Sequence, residues 1–308
     1  MSATGLERER QAKPVRTLSL LLPLGIGAGL SISLGILIWK GFFFIFSWIG
    51  FCISLGNFIS SKSIDRDLGR RICILLIAPI FLVFFGVLQR ENMQLEETVF
   101  YGAYFLSAGI FTRVLIHFAI AKVFGPFIWG RGFCGWACWT AALLDWLPIK
   151  TNRPIPTAWT WLRVPVLFVS VLIPFALIRQ GYPYLERHIL GDSGQWIQTH
   201  KWSQFLWFLT GNGLYYVLAI ALAFIFGKQR AFCKILCPVS LVMKAQTKVS
   251  LIKITPSGNE CTHCKKCNRQ CPMDVDVESY IGSGAKITSS ECILCGGCAH
   301  VCPANAIS

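Results

Sequence analysis

The stretch CTHCKKCNRQCP (261–272) and its near repeat CILCGGCAHVCP (292–303) decide how the C-terminal part of this chain folds. Each places four cysteines as C-x2-C-x2-C-x3-C before a proline: Cys261, Cys264, Cys267 and Cys271, then Cys292, Cys295, Cys298 and Cys302. That spacing wraps a chain around two cubane 4Fe-4S clusters, one iron per thiolate, with the fourth cysteine of each run closing the other cube. The expected sets are Cys261, Cys264, Cys267 and Cys302 on one cluster, and Cys292, Cys295, Cys298 and Cys271 on the other. Structural zinc sites instead pair two CxxC units across a longer gap. Disulfides are disfavoured because the rest of the chain assigns this tail to a reducing compartment. The tail therefore reads as an electron wire.

Composition sets the remainder apart from soluble domains. Of the 308 residues 54% are hydrophobic, 13% aromatic and only 14% charged, and the mean hydropathy is +0.55. Such a chain is a membrane protein. Its net charge of +14 does not point to nucleic acid, because the basic residues lie at the ends of apolar runs, where they orient a membrane protein. Residues up to about 16 are polar, and with no small-residue cleavage site promptly after the first apolar run, that run reads as retained.

A helix needs about 20 apolar residues to cross the hydrocarbon core. Six runs approach that length, at 18–38, 41–59, 71–89, 98–121, 162–179 and 203–226. Five crossings result if 18–59 holds only one. Positive charge favours six: the N-terminus, Lys62 to Arg71, Lys122 to Arg153 and Lys228 to Lys234 then share one side, which is the cytoplasmic side. The expected fold is a polytopic α-helical membrane domain (18–238) after a short tail (1–17). A basic connector (239–256) and an α+β two-cluster ferredoxin domain (257–308) follow. Both termini are expected on the cytoplasmic side of a bacterial inner membrane.

An internal repeat lies between the spans. RGFCGWAC (131–138) matches RAFCKILC (230–237), giving R-x-F-C-x3-C twice at a shift of 99 residues. On a helix, Cys134 and Cys138 would share a face, as would Cys233 and Cys237, and parallel repeats place their motifs at one depth. The four cysteines fit a third iron–sulfur cluster or metal, a dithiol–disulfide relay, or the guidance of a soft metal. The plain alternative is that they are small buried apolar residues, which is the preferred reading for the unpaired Cys52 and Cys73. After each motif a short apolar segment, Thr140–Leu147 and Val239–Met243, is expected in the interface plane.

Ionisable residues in spans point to function. Arg113 and His117 stand four apart in the fourth run, where they could meet a quinone head group near the membrane interface; Arg163, Glu186 and His188 are further candidates. Lys244, Lys248 and Lys253 make the connector basic, which attracts anionic lipid. Asp274, Asp276 and Glu278 read as a solvated face, and Lys286-Ile287 as the opening of a short strand.

Over about residues 98–308, the membrane spans, the paired CxxxC motifs with Pro238 after the second, and the two C-terminal cysteine runs resemble the NapH-type membrane ferredoxins. Similar architectures occur in a nitrous-oxide-reductase donor, a methylamine-utilisation protein and cytochrome-oxidase assembly factors. The resemblance implies a quinol dehydrogenase component that passes electrons between the quinone pool and another ferredoxin-type or oxidoreductase subunit. A maturation factor that supplies electrons or handles metal for an oxidoreductase is the alternative. Two features depart from the family pattern: Trp139 stands where a proline follows the first motif, and the nitrate-reductase component usually has four spans.

Overall fold

The structure is a computed structural model that describes residues 17–307 except 39, 64, 92, 110, 111, 150, 151, 183, 185, 186, 191–194, 199 and 200. The side chains of 17–19, 66, 108, 113, 187–190, 195–198 and 201 also lie outside the description. The expected N-terminal tail thus falls outside it, apart from Thr17.

Helix α1 (Thr17–Leu37) and helix α2 (Gly41–Lys62) form an apolar hairpin. Small residues set their separation. A Cβ on Gly50 would stand 2.5 Å from the Pro23 carbonyl oxygen, and one on Gly27 2.6 Å from that of Phe46. Without a hydrophobic drive between helices in lipid, such backbone approach is what holds them. Helix α3 (Arg66–Pro79) starts on an Asp65 N-cap, whose side chain accepts from the Asp67 amide. Near Pro79, which lacks an N–H, the helix widens to i→i+5 bonding over Ile80–Leu88.

The run 98–121, expected as one crossing, is two helices. Helix α4 (Leu95–Ala108) ends on Gly109 at φ 67°, a left-handed C-cap. The chain then re-enters as α5 (Arg113–Phe118), which continues through a π-helical turn (Ala119–Phe124) into α6 (Gly125–Trp129). Among the described residues, five helical stretches remain long and apolar enough to cross a membrane: Leu20–Leu37, Gly41–Lys62, Asp67–Leu88, Thr157–Arg179 and Trp202–Phe226. Val114–Trp129 is apolar but shorter.

The repeated motifs form short helices, α7 (Gly132–Trp136) and α8 (Trp139–Leu144) in the first copy. A 3-10 turn (Thr157–Leu162) leads into α9 (Arg163–Arg179). A two-stranded antiparallel ribbon, β1 (Arg187–Leu190) with β2 (Gln195–Gln198), pairs Arg187 with Gln198. Helix α10 (Lys201–Phe226) then returns to the second copy, α11 (Ala231–Ile235), followed by α12 (Val239–Val242) and α13 (Lys244–Lys248). Thr140, Ala141, Ala142 and Leu144 are buried, so the segment after the first motif packs inside the protein rather than lying in the interface plane.

The C-terminal unit carries α14 (Lys266–Gln270), α15 (Val277–Gly282) and α16 (Gly297–Val301). The strand expected at Lys286-Ile287 does not form. β pairing there is reduced to the Pro256–Ile307 bridge and one bond from the Ile287 amide to the Ile254 carbonyl, 2.9 Å. Met273, Val277, Ile281 and Ile293 share one core with Leu144, Ala219 and Phe232, so the unit is packed onto the membrane part. Replacing Gly50 with Val is expected to force α1 from α2 and cost about 1–3 kcal/mol, measured as a lowered unfolding midpoint in detergent.

Candidate functional site

The two copies of R-x-F-C-x3-C fold alike. Arg131 and Arg230 sit at matching N-caps (φ −86°, ψ 25° and φ −101°, ψ 24°), and each helix closes with an amide donating to the motif phenylalanine carbonyl, Ala137 to Phe133 and Leu236 to Phe232. The helix ends between the two cysteines of each motif. Cys138 is the extended N-cap of α8, so the cysteines do not share one helical face as expected. They converge nonetheless: Cys134, Cys138, Cys233 and Cys237 lie within electrostatic reach of one another. Cys52 and Cys73 are fully buried, as small apolar residues would be.

Three carboxylates, Asp145 buried and Asp274 and Glu291 half-buried, hold this constellation. Asp145 takes a two-pronged bond from Arg230 (2.7 and 2.6 Å) and a third from Arg70 (2.7 Å). The same guanidinium groups donate to the Cys134 and Gly135 carbonyls at 2.9 and 3.0 Å. Asp145 thereby ties α3 and both motif copies together. Burial alone would raise its carboxyl, but Arg230 and Arg70 hold it below the ordinary range. Asp274 is bound by Lys228 and Lys234 and accepts the Ile155 amide at 3.0 Å. It is therefore a half-buried tether rather than part of a solvated face. Glu278 instead meets His263 at 2.5 Å, and exposed Asp276 accepts from Asn268 at 2.6 Å.

Glu291, the residue before Cys292, faces three cations: Arg131 at 2.6 Å, Arg163 at 2.9 Å and Lys244 at 3.0 Å. Burial pushes its carboxyl up, yet Arg131, Arg163 and Lys244 hold it well below the usual carboxylate range. Arg163 is thereby committed to this clamp, with a further bond to Ser240 at 3.0 Å. Lys122, Arg131, Lys228, Arg230 and Lys234, expected as orienting charges at span ends, are buried. Cations outnumber carboxylates at every hub, a surplus that suits thiolate-bound clusters.

The cysteine runs separate into two sets. Cys261, Cys264, Cys267 and Cys302 line one pocket with Thr262, Lys265 and Glu278, and Cys264 is exposed. Cys271, Cys292, Cys295 and Cys298 face one another. Burial pushes the Cys271 thiol up to about 12 and the Cys292 thiol to about 11, so free thiols here stay protonated at neutral pH and a metal must displace those protons. Among the described residues, no three His, Cys, Asp or Glu side chains gather tightly enough for a single metal ion.

The second set touches the CxxxC site directly. A Cβ on Gly135 would stand 2.1 Å from the Ile293 carbonyl oxygen, and the Trp136 indole donates to the Leu294 carbonyl at 3.0 Å. The loop between Cys292 and Cys295 therefore lies on the loop between Cys134 and Cys138.

The other sequence candidates fall elsewhere. The His117 ring packs against Phe42, Phe46 and Phe85, toward the ends of α2 and α3 remote from Arg70, so it does not lie at the near interface. Arg113 opens α5, and its side chain, like Glu186 and the His188 side chain, lies outside the described residues. Sequence reading missed the carboxylate hubs and a polar group within the membrane part formed by Glu96, Lys122 and Tyr215. Glu96 and Lys122 within apolar runs were the available signal.

A multi-pass helical membrane protein with two ferredoxin-type cysteine runs is the class these features define. The comparisons agree. The family model described as a 4Fe-4S dicluster domain matches residues 260–307. Another, a 4Fe-4S binding domain, matches twice, at 111–156 and 211–253, once for each CxxxC copy. The chain is 28% identical to the uncharacterized protein MJ0749 of Methanocaldococcus jannaschii over 59% of its own length and 65% of that protein. It is 24% identical to YccM of Escherichia coli, a proposed electron transport protein, over 56% of this chain and 49% of that one. To the ferredoxin-type protein NapH of Escherichia coli it is 22% identical, over 56% and 59%. The matches thus span less than two thirds of each of these relatives. No solved structure matches. The chain is thus similar to the NapH-like ferredoxin-type electron transport proteins and shares their 4Fe-4S domains.

Replacing Glu291 with Gln leaves Arg131, Arg163 and Lys244 facing a neutral amide, an expected cost of about 3 kcal/mol. Because folding depresses this carboxyl, its contribution is present above the unfolded value of about 4.3 and is lost as pH falls through the depressed folded value. Proteolysis of the connector should accelerate on acidification in the wild type. It should be rapid at every pH in the variant.

Proposed function

We propose that this protein passes electrons between the quinone pool and a redox partner, through a centre held by Cys134, Cys138, Cys233 and Cys237 and two clusters in the C-terminal unit. The observation that carries this reading is the close approach of Gly135 and Trp136 to Ile293 and Leu294. It makes the set Cys271, Cys292, Cys295 and Cys298 the cluster next to the membrane. The set Cys261, Cys264, Cys267 and Cys302 is then the outer cluster, with exposed Cys264 at the edge where a ferredoxin-type or oxidoreductase subunit docks. Bound 4Fe-4S clusters supply one-electron steps along this order.

A third cubane is the occupant of the CxxxC site that the chemistry favours. Its donors are all thiolates, and Lys122, Arg131 and Arg230 lie within electrostatic reach of them, balancing the net negative charge of a thiolate-bound cluster. Basic segments 66–71, 131–163 and 228–244 adjoin the cysteine runs, which supports the inner bacterial membrane with the C-terminal unit in the cytoplasm. The quinone link follows from what the resemblance to the NapH-type membrane ferredoxins implies.

Anaerobically purified protein should hold about twelve irons, and the Cys134→Ser/Cys233→Ser double variant about eight, at four per cube. A wild-type count of about eight removes the third cluster. Menadiol should reduce the clusters, followed by loss of visible absorbance. If menadiol leaves the spectrum unchanged while the cysteine variant loses some other bound metal, a maturation role replaces this one.

A further inference from the structure

Within the membrane part, α4 begins with two acidic residues, Glu96 and Glu97. Carboxylates at such depth are costly and are retained for ion or proton traffic. Glu96 Oε1 accepts from the Ser170 hydroxyl of α9 and the Tyr215 hydroxyl of α10, each at 2.7 Å. Ser170 is seven residues beyond Arg163, about 10 Å along the helix at 1.5 Å per residue, and Arg163 itself is bound to the C-terminal unit. Glu96 therefore lies inside the span. Its second oxygen, Oε2, is shut off from solvent and has no hydrogen-bond partner among the described residues. A buried acceptor left open in this way marks a place for water, an ion or chemistry.

On the side of the C-terminal unit, Glu96 adjoins the cysteine centre. Lys122, 4% exposed, is placed within electrostatic reach of Glu96 and of Cys134, Cys138 and Cys237. Its ammonium donates to the Met93 carbonyl at 2.8 Å and lies 4.9 Å from the Trp139 ring centroid. Tyr215, which binds Glu96, is also near Cys237.

In the other direction the polar row continues. Tyr184 lies within electrostatic reach of Glu97 and Tyr101, and all three are fully buried. Tyr184 follows the end of α9 that is remote from Arg163, and Gln204 near the start of α10 donates to its carbonyl at 3.4 Å. Ionisable groups thus extend from Tyr215 and Glu96, near the cysteine centre, by way of Glu97, the next residue of α4, to Tyr184 on the side opposite the C-terminal unit.

We infer that Glu96 takes the protons released when quinol is oxidised beside the CxxxC centre, and that Glu97 and Tyr184 carry them toward the opposite face of the membrane. This rests on the quinol reading above. Quinol breaks two O–H bonds in becoming quinone: two electrons enter the cysteine centre one at a time and leave through the C-terminal unit to the partner. The two protons pass in turn to the open oxygen of Glu96. The titratable groups near Glu96 are Lys122 from the α5–α6 arm and Tyr215 from α10, with Glu97 the next residue along its own helix; Ser170 of α9 is its neutral neighbour.

The test uses full-length Glu96→Gln, Glu97→Gln and Tyr215→Phe proteins with menadiol as donor. Iron content and reducibility by dithionite establish that each variant is folded and loaded. In Glu96→Gln, menadiol-driven cluster reduction should slow about 100-fold and lose the pH dependence seen in the wild type, while dithionite reduction is unchanged. Glu97→Gln, in proteoliposomes with a trapped pH indicator, should abolish acidification of the compartment opposite the C-terminal unit. If Glu96→Gln does not assemble, Tyr215→Phe should show the same flattened pH profile with a smaller loss of rate. Wild-type rates and pH profiles in folded, loaded Glu96 and Tyr215 variants overturn the inference. Menadiol that fails to reduce even the wild type overturns the quinol reading itself.

Discussion

Glu291 is the point on which the two halves of this molecule depend. It precedes Cys292 in the chain and draws Arg131 from the first motif, Arg163 from the start of α9 and Lys244 from α13. A carboxylate removed from water is tolerated only where cations of good geometry surround it, so one position of the C-terminal unit satisfies all four groups. That position lays the Cys292–Cys295 loop on Gly135 and Trp136. Asp274 does the same work at the other cysteine run, through Lys228 and Lys234.

The duplication acquires its meaning from Asp145. Arg230 of the second copy reaches across to the Cys134 carbonyl of the first while both its prongs hold Asp145, and Arg70 approaches the same carboxylate from α3. Two loops separated by 99 residues in sequence are thereby pinned at one depth, and four cysteines meet. Each hub carries more cation than carboxylate, which fits a junction built around thiolate-bound clusters. The intramembrane row at Glu96 and Glu97 begins where that junction ends.

Much of this was legible from spacing. The eight cysteines of the two runs, the R-x-F-C-x3-C repeat and five of the apolar spans follow patterns whose physical origin is local. The run 98–121 misled because its apolar residues are continuous, whereas the left-handed cap at Gly109 leaves no mark in hydrophobicity. Helical phase misplaced Cys134 and Cys138 for a similar reason: the break at Ala137 depends on how α7 and α8 pack. Charge was misjudged most. Lys228 and Lys234, counted as orienting charges at a span end, bind Asp274, expected in a solvated face.

Local pattern, then, determined the elements and the metal-binding chemistry of this chain, since ligand spacing, span length and repeat register are written along the sequence. Only the tertiary structure decided which cysteine set lies beside the membrane centre, and that carboxylates rather than lipid meet the basic loops. The reason is that ion pairing and desolvation act between residues as far apart as Arg131 and Glu291. No window of sequence shows which opposite charge a buried group will find.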